Sequence, residues 1–130
     1  LTGEQLIAKK VFKFVHETIT ALAKHDQPEL SLNLFLHAAL TANNCGFEQI
    51  AYEFVTKAFV TYEDSVTESR AQYRAMELFV GAVQQMSCFD ADNYEAIITK
   101  TALHSSRLLL KPDQCRAVYK CSHLFWSQKV

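Results

Sequence analysis

Residues Lys111–Trp126, KPDQCRAVYKCSHLFW, gather two cysteines, a histidine, an aspartate, an arginine and the one tryptophan of the chain. Three kinds of chemistry use such a set: a zinc site, a thiol nucleophile with an imidazole base, or a docking surface. Helical geometry separates them. Each residue turns a helix by about 100° and advances it by about 1.5 Å. Cys121 and His123 therefore point roughly 200° apart, and Cys115 and Cys121 differ by about 120° and roughly 9 Å along the axis. A tetrahedral zinc with bonds of about 2.3 Å to sulfur cannot collect these groups from one continuous helix. Neither C-x-x-C nor H-x-x-x-H occurs anywhere in the chain.

A Cys/His hydrolase needs a positioned base and an oxyanion hole, and no nucleophile-elbow glycine pattern is present. His104 and Ser105 are neighbours, but adjacent helical residues diverge by about 100°. His16, His25 and His37 read as surface or partly buried residues. Catalysis, cofactor binding and a metal are thus not expected, and a small helical enzyme or metal protein is the weakest alternative. What the stretch offers instead is Lys111, Asp113, Arg116 and Tyr119 around a helix start. Asp113 and Arg116 can pair at three residues' separation, worth a few tenths of a kcal/mol. A local structural role is the first reading of this helix start; Arg and Tyr are also interface-type residues, so these four are the candidate partner-binding positions if the stretch docks. Cys115, Val118, Cys121, Leu124 and Phe125 are the candidate packing positions of the same helix.

The elements that carry these residues follow from composition and punctuation. The 130 residues are 49 % apolar and 21 % charged, with three glycines and two prolines. That is globular and helical, and one compact unit, residues 1–130, is expected. A net charge of −1 leaves no basic footprint for nucleic acid or for an anionic membrane surface. No apolar run reaches the ~18 residues of a membrane-spanning helix. The start, LTGEQLIAKK, has no initiator Met and does not read as a signal peptide, so an excised piece of a longer chain is expected. The four cysteines are read as reduced, mostly buried small hydrophobes.

Thr2 with Gln5 resembles a capping box, and Ile7, Val11, Val15, Ile19 and Leu22 mark a first helix to about Lys24. Asp26 or Gln27 can cap the second, with Pro28 in its first position and Gly46 placed to end it. A third helix runs from Phe47 to about Asp64. Ser65 with Glu68 reads as a capping box for the fourth, and acidic YEDSVTE reads as two solvated helix ends rather than a docking loop. Asp92 and Glu95 read as capping positions for a fifth helix. It carries Ile97, Ile98, Ala102, Leu108 and Leu109 and stops before Pro112, which starts the sixth.

Helix pairs beginning near residues 3, 47 and 90 give a period of about 43 to 44, inside the range of HEAT and armadillo repeats. The expected fold is all-α, a HEAT-like α-solenoid segment of about six helices in three antiparallel hairpins, about 3–45, 47–88 and 90–127. A closed three-pair bundle is the competing layout. A segment cut from a solenoid exposes the outer faces of its first and last helices, so self-association or only moderate stability is expected.

LLKPDQCRAVYKCSHLFW, with IAYEFVTKAFVTYEDSVTESRAQ, LNLFLHAAL and QMSCF, resembles the C-terminal half of the retromer large-subunit family, vacuolar protein sorting-associated protein 35. The most specific part is K-P-D-Q-x-R-A-V followed by H-L-F-W, here Lys111 to Val118 and His123 to Trp126. The resemblance implies a non-enzymatic α-solenoid in a cytoplasmic coat, peripheral on endosomal membranes, that returns transmembrane cargo to the Golgi or the cell surface. It also implies a small phosphoesterase-like retromer subunit as partner, with regulators of actin assembly and of Rab GTPases as further ones. The P-R-L-Y-L element for the arrestin-like subunit is absent, so that contact is not expected here. Leu110, not a second lysine, precedes Lys111, which weakens a basic docking patch. TANNCGFEQIAYEF is shorter than in animal members and suggests a non-animal source. After WSQKV the family continues through further helical pairs, which are expected to hold much of the cradle for the small subunit. A helical-repeat adaptor of another cytosolic complex is the alternative.

Overall fold

The computed structural model describes residues 2–127 of the chain, and side chains as far as Phe125. Six helices appear among them: α1 (Gly3–Ala23), α2 (Pro28–Asn44), α3 (Glu48–Ser65), α4 (Ser69–Gln84), α5 (Ala91–Ser106) and α6 (Lys111–Ser127). Short connections make successive helices antiparallel. The substantial packing contacts all join helices one or two apart in chain order. This is the open, stacked arrangement of a solenoid rather than a closed bundle. The chain forms an all-α solenoid segment.

Local chemistry sets most boundaries. The Thr2 hydroxyl accepts from the Gln5 N–H at 3.2 Å, while the Thr2 N–H donates to Gln5 Oε1 at 3.1 Å, the reciprocal box that opens α1. Pro28 begins α2 where its missing N–H costs nothing; Gln27 is the cap residue but lends no side-chain bond. Asp26 instead adopts a left-handed φ of 62° in the turn. Gly46, at φ 77°, lets the chain leave α2 and re-enter α3.

Three expected boundaries differ. Ser65 is the last residue of α3, not a cap for α4, because Val66 turns inward in extended geometry and is 5 % exposed. Glu68 precedes α4 without a side-chain cap bond. For α5 the cap is Asp90, whose carboxylate accepts from the Asn93 N–H at 2.8 Å; Asp92 lies in the first turn and Glu95 deeper. That helix ends at Ser106 rather than running to Pro112. Leu108 then tucks into the core while Leu109 turns out to 77 % exposure, and the Gln114 amide donates to the Ser106 carbonyl left free by the ending.

Packing varies from seam to seam. α2 and α3 approach most closely, with Ala39 and Ala42 on one and Ala51 and Ala58 on the other fully shielded. Side chains that small let two backbones come together. α3 meets α4 through large rings instead: Phe59 stacks on Phe79 at 4.3 Å, with Tyr62 edge-on to the same ring. Phe12 of α1 meets Phe47 and Phe54 at 5.9 and 6.2 Å.

Polar bonds fasten one helix pair to the next. Arg74 Nη2 lies 2.9 Å from Glu29 Oε1, Lys120 Nζ lies 2.7 Å from Glu77 Oε2, and Asn93 Nδ2 lies 2.9 Å from Glu48 Oε1. These partners stand 45, 43 and 45 residues apart, so the pins recur at the period of the helix pairs.

Candidate functional site: the outer face of α6

α6 divides into faces as its 100° step dictates. Ala117, Cys121 and Leu124, at i, i+4 and i+7, are 2 % exposed or less and face the core. The Tyr94 hydroxyl donates to the Leu124 carbonyl at 3.2 Å, fastening this end of α6 to α5. Cys121 Sγ lies 3.2 Å from Ser105 Oγ. Burial pushes the Cys121 thiol pKa up, opposed by the Ser105 hydrogen bond, so the group is poor in the reactive thiolate.

The packing expectation needs correction at three positions. Cys115, Val118 and Phe125 are exposed, Val118 and Phe125 at 41 % and 48 %. They lie about 80–160° round from the Ala117–Cys121–Leu124 stripe, beyond the reach of α4 and α5. The expectation of mostly buried cysteines fails likewise: all four are free, and only Cys121 is buried. Cys45 and Cys115 are exposed, and Cys88 is half-buried with its pKa raised by burial and then by the Glu48 charge. The structure separates the Cys and His groups of α6: Cys121 faces inward, Cys115 outward, and His123 packs edge-on to Tyr119 at 5.0 Å. Among the described residues no three His, Cys, Asp or Glu side chains converge as a metal site would require.

The four docking candidates gather at the start and outer side of this helix. Lys111 is exposed, with its ammonium 3.5 Å from Gln114 Oε1. Asp113 sits in the first turn, where the helix dipole favours a carboxylate, 3.6 Å from Arg116 Nη1. The Asp113 side chain is 17 % exposed and that of Arg116 is 65 % exposed, so the acid anchors and the guanidinium projects. Tyr119 is 68 % exposed. Beside this cationic and aromatic ridge runs an apolar shoulder of Leu109, Leu110, Val118 and Phe125, all exposed. Trp126 of the motif lies outside the residues with described side chains.

Sequence reasoning missed the residues that hold the helix pairs in register. Lys120 pairs with Glu77, and its ammonium lies 5.7 Å from the Tyr73 ring centroid. Glu63 reaches both Lys100 Nζ at 3.2 Å and His104 Nε2 at 3.7 Å. His104 is packed between Phe59 and Tyr62, and its Nε2 is buried without a hydrogen bond. Burial lowers the His104 pKa, and the Glu63 charge opposes that. The available signal was complementary polarity at one repeat length. A second apolar surface lies on α1, where Ile7, Val11 and Phe14 are more than half exposed.

The family model for vacuolar protein sorting-associated protein 35 matches residues 3–130. The chain is 44 % identical over 121 residues to vacuolar protein sorting-associated protein 35C of Arabidopsis thaliana, and 46 % identical over 118 residues to the 35B protein of that plant. It is 43 % identical over 117 residues to vacuolar protein sorting-associated protein 35 of Schizosaccharomyces pombe. These alignments cover 93, 91 and 89 % of the chain but only 15, 15 and 14 % of the relatives, so the chain spans about a seventh of their length. Fold, helix layout and sequence agree, and the chain belongs to the vacuolar protein sorting-associated protein 35 family.

Proposed function

We infer that this chain is a non-enzymatic scaffold segment of the retromer large subunit, acting in endosomal sorting through protein–protein contacts. The observation that carries this reading is a solenoid of the matching family with an outward Lys111–Arg116–Tyr119 ridge beside an apolar shoulder. Arginine and tyrosine flanked by apolar surface are the common anchors of protein interfaces. Asp113 orients Arg116 from within the helix, so the cation is presented at low entropic cost. No described helix is long and apolar enough to cross a membrane. The family match supports a peripheral place at endosomal membranes, through the complex.

The partner proposed for the ridge is the small phosphoesterase-like retromer subunit, with regulators of actin assembly and of Rab GTPases as further users of this region. Pull-down of the purified small subunit by the folded chain tests this. Retention by the native chain and loss on Arg116→Ala or Tyr119→Ala, with the circular dichroism spectrum unchanged, is the expected result. Absence of binding by the folded native chain would overturn the contact.

A further inference from the structure

Between α1 and α3 lies an open groove of about 570 Å³. Rings make its floor: Phe12 meets Phe47 at 5.9 Å and Phe54 at 6.2 Å, His16 lies 5.7 Å from Phe54, and Ile50 lines the groove beside them. Phe47 and Ile50 are only half-buried, so part of this apolar surface stays open. The walls carry opposite charge. Lys9 and Lys13 stand about one turn apart on α1, followed by Glu17, while Glu48 and Glu53 stand on α3. Glu48 accepts a hydrogen bond from Asn93 at 2.9 Å. Among the described residues none of these charged groups forms an ion pair. Two walls of opposite sign thus flank an aromatic floor without closing over it.

The groove does not belong to the outer stripe of α1. Ile7, Val11 and Phe14 centre roughly 160° round the helix from Lys9, Lys13 and His16. A helix packed on that stripe would leave the groove uncovered.

We propose that this groove is a docking surface separate from the α6 ridge, and that it takes a short amphipathic helix of a partner protein. That helix carries an apolar stripe between an acidic flank and a basic flank. Its stripe lies over Phe47, Ile50 and Phe54, its acidic flank meets Lys9 and Lys13, and its basic flank meets Glu48 and Glu53. An extended peptide fits less well, because its backbone N–H and C=O groups would lie over rings. The walls offer those groups no partners, since α1 and α3 bond their own backbones. A helix is satisfied internally and presents side chains alone. Lys9 to Glu17 spans roughly 12 Å, so about two to three turns of partner helix cover the groove. The two signs fix the direction in which it runs.

Fluorescence anisotropy with a labelled synthetic helix tests this. The probe has leucines at i, i+3, i+4 and i+7, glutamates along one side of them and lysines along the other. The native chain is expected to bind it about tenfold more tightly than a peptide whose flanks are all glutamine, with the difference shrinking in high salt. Equal affinity for the two peptides, or no binding of the two-signed one, would overturn the proposal. Ile50→Glu should abolish binding with the circular dichroism spectrum unchanged, and undiminished binding by that variant would place the peptide elsewhere. Lys9→Glu with Lys13→Glu makes both walls acidic. This exposed double variant should lose the two-signed probe and gain a peptide with lysines on both flanks, a gain that misfolding cannot produce. Failure of that exchange would sink the role given to the walls. Arg116→Ala and Tyr119→Ala should leave probe binding as it is; its loss there would assign the peptide to the α6 ridge and overturn a separate surface.

Discussion

Asn43 Oδ1 accepts the N–H groups of both Ser87 and Cys88, each at 2.9 Å, and so ties the end of α2 to the turn that follows α4. Asn43 is 9 % exposed, while Cys88 is half-buried and Ser87 exposed, so water can take its place only in part. Replacing it with alanine leaves two donors without their acceptor. Asn43→Ala is expected to cost about 1–2 kcal/mol, read as a lowered urea midpoint with unchanged slope. Asn43→Asp keeps an acceptor and is expected to cost less.

His104 gives the fold a pH dependence. Burial lowers its folded pKa below the ordinary 6.5, so the unfolded chain takes up the proton more readily than the folded one. That contribution to stability is intact above about 6.5 and is lost as pH falls below it. Thermal melts of the native chain should drop in midpoint between neutral pH and pH ~5. His104→Phe keeps a ring against Phe59 and Tyr62 and should flatten this part of the profile. An unflattened profile would assign the effect to other groups.

The stacked pair Phe59–Phe79 lies at the centre of the α3–α4 seam, with Phe79 fully buried. Truncating Phe79 to alanine removes a ring and leaves a void that helices pinned on both sides cannot close. A loss of about 3–5 kcal/mol is expected by chemical denaturation.

The Glu77–Lys120 pin joins side chains that are each 42 % exposed. Solvent screening limits such a pair to about 1 kcal/mol at most. A double-mutant cycle with Glu77→Gln and Lys120→Gln is expected to give a small coupling that shrinks further in high salt. Its role is the register of α4 and α6 rather than bulk stability.

Asp113→Ala, Arg116→Ala and Tyr119→Ala separate folding from docking. Arg116 and Tyr119 are mostly exposed, so their removal should change stability by no more than about 0.5 kcal/mol. Asp113 is the more sheltered member of its pair and sits in the first turn of α6, so its loss should lower stability by about 0.5–1 kcal/mol. Calorimetry on the three variants checks the order.

Much of the helical layout was legible because it is written in local chemistry. Thr2 with Gln5, Pro28 and Gly46 act within a few residues of themselves, and each does what its side chain or backbone dictates. The misread boundaries are those where a distant contact prevails. Ser65 and Glu68 have cap spacing, but burial of Val66 draws the chain inward before a cap can form. Leu108 and Leu109 continue a helical apolar pattern, yet one fills the core from a loop and the other faces solvent. The exposure of Lys111, Arg116 and Tyr119 on α6 is legible from residue types, whereas its packing face is only half legible. Cys115, Val118 and Phe125 are apolar enough for a core that the neighbouring helices do not supply. The pins were missed because Glu77 and Lys120 mean nothing to each other until two repeats are stacked.

The alanine seam between α2 and α3 bears on how this sequence can drift. Ala39, Ala42, Ala51 and Ala58 stand where only glycine is smaller, and glycine inside a helix costs about 1 kcal/mol. Valine or leucine at the same positions must force two backbones apart, at about 1–3 kcal/mol for each overpacked site. Substitution is thus blocked in both directions at this seam and nearly free on the outer face of α6. A lineage can rewrite that exposed face while the spine beneath it stays as it is.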